Sequence, residues 1–314
     1  MAAPRTKGRC VFPCAGHLPA VAVCALLCLP AVGCGTLRCQ KISAEAVADA
    51  RRLSLQGMDA QQQGQWEKAE KLFAAAVGKC PHDERARCGY AEALWQRGAC
   101  HEAIVHMEES VRLSGHDPTR LVQLGNMYRG IGDLTRAGEQ VQRAIAANPQ
   151  LAAAWALRGD LLQAQGDRVE ALASYHRALA YQDPFPGVQL AVAEIYRQEN
   201  RPQRSLATLQ ALKNSFPPGQ APDDVLFCES RALQDLGRYH DAARALAHAA
   251  GRGNPSADLL AELARVQSLA GETAAARQSL AAALQREPNH PACLALEQEL
   301  GSRQAVLATA ARAP

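Results

Sequence analysis

The sequence predicts an all-α protein, an α-solenoid of about seven helix-turn-helix units closed by a C-terminal capping helix. Three columns of small residues carry this expectation. Gly64, Gly98, Gly132, Gly166, Asn200, Gly237 and Gly271 recur at intervals of 34, 34, 34, 34, 37 and 34 residues. Five positions after each stand Ala69, Ala103, Ala137, Ala171, Ser205, Ala242 and Ala276. Seven positions before each stand Gly57, Ala91, Gly125, Gly159, Ala193, Ser230 and Ala264. A fixed period of this length marks one supersecondary unit stacked on copies of itself.

Each column has a physical reading. A helix that stops and reverses tends to end on a left-handed residue, which glycine adopts freely and asparagine tolerates. Where two antiparallel helices cross closely, a large side chain would force the axes apart, so alanine, serine or glycine is expected at the crossing. Larger apolar residues fill the space between: Leu53, Leu121, Trp155, Leu226 and Leu260 in first helices, and Phe73, Met107, Val141, Tyr175, Leu209, Leu246 and Leu280 in second helices. Each helix thereby acquires one apolar face.

Unit boundaries follow from prolines and caps. Pro81, Pro149, Pro217 and Pro288 fall near the ends of second helices, which proline cannot continue. Asp117-Pro118 and Asp223 read as helix starts, the aspartates supplying side-chain caps. The three extra residues of the fifth interval fall in Pro217-Pro218-Gly219-Gln220-Ala221-Pro222, a lengthened loop. Units are expected to begin near residues 50, 84, 118, 152, 186, 223 and 257, with a cap over 291–300 and a disordered tail over 301–314.

This pattern resembles the tetratricopeptide repeat, a 34-residue helix-turn-helix unit, and the resemblance covers residues 50 to 300. It implies a right-handed solenoid whose first helices line a concave groove for an extended peptide or a partner helix. Family geometry places Glu92, Trp95, Asn126, Arg129, Asp160, Gln163, Glu194, Arg197, Phe227, Arg231 and Arg265 toward that groove. Trp95 and Phe227 stand out because exposed aromatics are enriched at binding hot spots, although either could instead be packed against a neighbouring unit. Members that grip acidic chaperone tails carry cations and a second asparagine where this chain has Val122, Ala153 and Leu157, so that mode of docking is not expected.

The amino terminus carries an address. Arg5, Lys7 and Arg9 precede an apolar run from Leu18 to Pro30, too short for the roughly 20 residues that span a bilayer. Residues 1–33 read as a secretory signal peptide. Ala31-Val32-Gly33-Cys34 resembles the lipobox of bacterial lipoproteins, with alanine where leucine is usual. It implies lipidated Cys34 as the mature terminus, a short tether over 34–49 and a place in the bacterial cell envelope. The outer membrane facing the periplasm is favoured, since Gly35 is not an inner-membrane retention aspartate; release to the periplasm is the alternative. Cys39, Cys80, Cys88, Cys100, Cys228 and Cys293 would remain, and their spacing fixes no disulfide.

Composition narrows function. Removing the three leader cations from 34 leaves 31 Lys and Arg against 31 Asp and Glu, so the body offers no field for a polyanion. Aromatics make up 4%, too few for a base-stacking surface, and no nucleic-acid partner is expected. Cys80, His82, Cys88, Cys100, His101 and His106 are zinc-binding residue types, but the cysteines lack paired spacing and no metal site is expected. No phosphate loop, nucleophile elbow or metalloprotease motif is present. The expected function is therefore non-catalytic and cofactor-free protein binding by an envelope scaffold. The alternative is an accessory subunit that holds an enzyme or its substrate.

Overall fold

A computed structural model describes residues 43 to 310. The leader over 1–33, Cys34, Cys39 and residues 311–314 lie outside the described residues. Among these there are fifteen helices and no strand. They form seven hairpins: α1 (Ala44–Gln62) with α2 (Trp66–Lys79), α3 (Glu84–Gln96) with α4 (Cys100–Leu113), α5 (Pro118–Gly130) with α6 (Leu134–Ala147), and α7 (Ala152–Ala164) with α8 (Arg168–Tyr181). Then come α9 (Pro186–Gln198) with α10 (Pro202–Asn214), α11 (Asp223–Asp235) with α12 (Tyr239–Ala250), and α13 (Ala257–Leu269) with α14 (Thr273–Arg286), followed by the single helix α15 (Pro291–Ala310).

All seven hairpin turns share one hydrogen-bond pattern. In the first, Gly64 N–H donates to Gln61 O and Gln65 N–H to Ala60 O; in the fifth, Asn200 N–H donates to Arg197 O and Arg201 N–H to Tyr196 O. This paired closure is the Schellman motif, and it requires a left-handed residue at the reversal. Every member of the column has φ between 57° and 86°, Asn200 having the lowest value. Because asparagine only tolerates this conformation, Asn200→Gly is expected to fold at least as stably as the parent. Asn200→Val should lose about 1–2 kcal/mol, read as a lower urea midpoint.

Helix starts use caps unevenly. Asp83 and Asp117 each accept two backbone N–H groups, and Ser43, Asp133, Asp167 and Ser256 accept one each. Asp223, expected as a cap, is instead the first helical residue after Pro222. There it acts with Asp224 as negative charge beside the helix N-terminus. Two boundaries also differ from expectation. Helix α1 starts at Ala44 rather than near 50, because Ser43 caps an alanine-rich stretch that the repeat phase does not count. Helix α15 continues to Ala310, so the expected tail is helical from 301 to 310. Past Gly301 the chain is rich in alanine and meets no proline until Pro314.

The hairpins pack through the small columns. The five-after column is buried throughout, Ala69 to Ala276, with Ser205 1% exposed. In the other column, size is matched to the partner sixteen residues on. Where the second helix carries an aromatic, the first helix carries glycine: a Cβ at Gly57 would stand 2.9 Å from the Phe73 ring, and one at Gly159 would stand 2.5 Å from the Tyr175 ring. Phe73 also fills space beside the next hairpin, where a Cβ at Gly89 would approach within 2.4 Å. Elsewhere alanine or serine faces Met107, Leu209, Leu246 or Leu280 at the same spacing. Gly125 is the exception, its space filled by Leu157 of the following hairpin.

Second helices pack against the first helices on either side. Successive first helices also touch directly at α1–α3, α5–α7, α9–α11 and α13–α15, which sets them on the inner side of the stack.

Candidate interaction groove

The first-helix face is laced by side-chain bonds that cross from hairpin to hairpin. Glu92 on α3 accepts from Gln61 Nε2 of α1 at 2.7 Å and from Gln123 Nε2 of α5 at 2.9 Å. Further along, Arg197 on α9 pairs with Glu194 at 2.8 Å and with Asp235 of α11 at 3.3 Å, while Arg231 of α11 reaches Glu194 at 3.6 Å. Near the end, Glu262 on α13 pairs with Arg265 at 2.6 Å and accepts from Gln234 Nε2 at 3.1 Å. These bonds fix rotamers before any partner arrives, which lowers the entropy that binding must overcome.

Of the residues placed on this face by the sequence, Glu194, Arg197 and Arg231 form one cluster. Asp160 and Gln163 are both bonded to the Tyr175 hydroxyl, at 2.7 and 2.9 Å. Since one hydroxyl proton cannot serve two acceptors, Tyr175 donates to Asp160 and the Gln163 amide turns its NH₂ toward the hydroxyl oxygen. Asn126 and Arg129 are exposed neighbours on α5. Phe227 is 36% exposed and stands beside Arg265. Trp95 does not project freely: it is half-buried against the third hairpin, where a Cβ at Gly130 would lie 2.5 Å from its ring. Sequence reasoning missed Gln61, Gln123, Gln234, Asp235 and Glu262. Their signal is separation, since the cross-hairpin partners lie 28 to 38 residues apart, close to the repeat length.

Between these bonds lie three depressions. One of about 690 Å³ is bordered by Leu55, Met58, Glu92 and Arg120. A central one of about 270 Å³ is lined by Val122, Ala153, Leu157 and Phe185, with Asn126 and Asp160 as its polar groups and no cation. The third, about 590 Å³, lies under Phe227, Ala261 and Leu296. Leu55 and Met58 are 65% and 46% exposed, unusual for apolar side chains of this size.

The chemistry of the face is that of paired ions and amide hydrogen bonds. The Arg197 guanidinium, with help from Gln198 and Arg231, holds Glu194 down at about 2, well below the ordinary glutamate value of 4.5. A depressed carboxylate contributes stability above pH 4.5 that is lost as pH falls toward 2. We expect a carboxyl-carbon NMR titration of Glu194 with a midpoint near 2, moving back toward 4.5 in Arg197→Gln. A parent midpoint near 4.5 would show that the pair does not form in solution. Burial pushes the Cys88 thiol up to about 12, so it is inert as a nucleophile at neutral pH. The described cysteines are free thiols, the His106 ring meets the Tyr90 ring at a tilt of 55° with centres 4.6 Å apart, and no group of three metal-ligating side chains gathers among the described residues. No described helix is long and apolar enough to cross a membrane.

The family model described as tetratricopeptide repeat matches residues 54–118, 156–224 and 229–291. The chain belongs to the tetratricopeptide repeat family. Among curated proteins, this tetratricopeptide array is 26% identical over 298 residues to Cellulose synthase operon protein C of Xanthomonas axonopodis pv. citri (strain 306). The match covers 89% of this chain and 20% of that protein, so the array spans about a fifth of the relative's length. Among solved structures it is similar to a tetratricopeptide repeat protein from Parabacteroides merdae ATCC 43184, with a TM-score of 0.57 and 17% identity over 81% of this chain and 97% of the other. It is also similar to PilW, a type IV pilus biogenesis factor, with a TM-score of 0.60 and 16% identity over 68% of this chain and 98% of that one. At such identities the structural likenesses are likenesses of fold.

Proposed function

We propose that this protein is a non-catalytic interaction scaffold of the bacterial cell envelope, holding an extended peptide or a partner helix along its first-helix face. The observation that carries the reading is the row of three largely apolar depressions separated by prearranged polar and ionic bonds. Apolar pockets supply affinity and the fixed polar groups between them supply register. The tether is Cys34, through lipidation at the mature terminus, and the membrane contact is the lipid rather than a spanning helix.

The test is capture from native envelope with the full chain. Phe227→Ala and Arg129→Glu alter exposed side chains and should leave helicity intact, while each weakens retention of the captured protein at least about tenfold. Unchanged retention in both would overturn the groove assignment. Labelled palmitate incorporation that disappears in Cys34→Ser is expected; an intact leader in the purified protein would overturn the tether.

A second reading is favoured by one finding, the relative named for a cellulose synthase operon. In it, the array is an accessory subunit that positions an enzyme of polysaccharide synthesis or its substrate. Capture of such an enzyme as the principal partner, lost in Phe227→Ala, would select this reading over a general assembly scaffold.

A further inference from the structure

The one interval that breaks the 34-residue period builds a second site, on the face opposite the groove. The loop between α10 and α11 carries the insertion, and with α10, α11 and α12 it encloses a cleft of about 760 Å³, larger than any of the three first-helix depressions. The second helices α10 and α12 form its walls. Leu226 and Leu233 of α11 form its floor, and Phe216, Pro217 and Pro218 form an apolar roof. The loop that carries the roof is held at its far end: the Arg252 guanidinium donates to the carbonyl oxygens of Gly219 and Ala221. An arginine spent on two loop carbonyls holds the insertion in one shape.

The charges around this cleft do not cancel. Lys213, Arg238, Arg244 and Arg252 face three carboxylates, Glu229, Asp241 and, 3.7 Å from Arg252, Asp223. Glu229 is 4% exposed and is matched by Lys213 Nζ at 2.5 Å. Asp241 is shared, accepting from Arg238 at 2.5 Å and also from Arg244. One carboxylate between two guanidinium groups leaves a unit of positive charge at the rim, and the Arg244 side chain is 81% exposed. A further acceptor is unused, since Oε2 of Glu229 has no hydrogen-bond partner among the described residues.

We propose that this cleft binds a segment of a partner protein in which a large apolar side chain stands beside a carboxylate. The apolar residue packs between the Phe216-Pro217-Pro218 roof and the leucine floor, and the carboxylate meets Arg244 and Arg238 in place of their shared Asp241. The apolar roof and the small charge excess suit a peptide better than a phosphate polymer, whose binding scales with the number of phosphates neutralised. The site is separate from the groove, so one array could hold two segments at once and gain from their linkage.

The test uses the full chain with labelled methyl groups and three synthetic hexapeptides: acetyl-Gly-Phe-Asp-Asp-Phe-Gly-amide, its counterpart with lysine for aspartate, and its counterpart with glycine for phenylalanine. The first should shift the methyl signals of Leu226, Leu233 and Ala245, with at least tenfold weaker binding for each counterpart. Arg244→Glu, at an exposed position that should not disturb folding, should weaken the first peptide at least tenfold. Arg252→Ala, which frees the roof, should weaken it by a comparable factor. Equal binding of the aspartate and lysine peptides would overturn the proposal, as would the same shifts produced by inorganic phosphate alone. Shifts confined to Ala261 and Leu296 would place the peptide on the groove instead and overturn it too. Retention of the captured envelope partner by Phe227→Ala reads the groove separately, so either site can fail without the other.

Discussion

Tyr175→Ala is expected to remove about 3–5 kcal/mol of stability, the range for truncating a fully buried aromatic. Tyr175 is 1% exposed, and its ring occupies the space that Gly159 leaves open, so the neighbouring backbone is already at close approach and has little room to collapse. Its hydroxyl also holds Asp160 and Gln163 in place on the groove face. The substitution should therefore act twice, lowering the urea midpoint and weakening groove binding. Tyr175→Phe separates the effects: it keeps the packing and removes the bonds, with a smaller loss of about 1–2 kcal/mol and the same weakening of binding. A Tyr175→Ala protein within 1 kcal/mol of the parent would show that the fourth hairpin does not depend on this contact.

Lys213→Met is the second large effect, expected to cost about 2–3 kcal/mol. Glu229 lies on the floor of the outer cleft with its side chain 6% exposed, and Lys213 is its ion-pair partner. Breaking a buried pair from one side typically costs 3–5 kcal/mol because an uncompensated charge remains. The lower figure applies because the Lys213 side chain is 36% exposed and water can take its place in part. Adding Glu229→Leu to Lys213→Met removes the stranded charge and should recover most of the loss, a coupling read from a double-mutant cycle in urea. If the two losses simply add, the pair is not the source of the effect.

These two residues also show what the sequence makes legible. Tyr175 sits in a column whose period is visible, and its partner Gly159 lies sixteen residues earlier in a second visible column. Both follow from a backbone need that few residue types satisfy. The turn column is legible for the same reason, since seven left-handed reversals leave only glycine and one asparagine. Glu229 is different. A glutamate in a helix ordinarily reads as a solvated face, and nothing local says that a longer loop and Lys213 will close over it.

The first-helix face was legible in the sequence, but its set of contacts was not. Asn126, Arg129 and Phe227 are exposed along it, whereas Trp95 is drawn into the third hairpin because Gly130 leaves it a place to pack. The links from Glu92 to Gln61 and Gln123 depend on how far one first helix is offset from the next, a property of stacking that no single unit contains. The early start of α1 is hidden for a related reason: a periodic pattern reports where units align and is silent about how far an end unit extends.

The ring of Phe73 has a consequence for how such a chain can change over generations. It needs a hydrogen in place of a side chain on both of its neighbours, Gly57 within its own hairpin and Gly89 in the one that follows. The residues that correspond to Gly89 in the other hairpins are Leu55, Gln123, Leu157, Ala191, Cys228 and Glu262, and none of them offers that gap. The first hairpin can thus be followed only by the second. A tandem duplication of the first would bring leucine against the ring, and an exchange that set another unit behind it would bring at least a methyl group, so the order of the units is inherited as a fixed sentence rather than as interchangeable words.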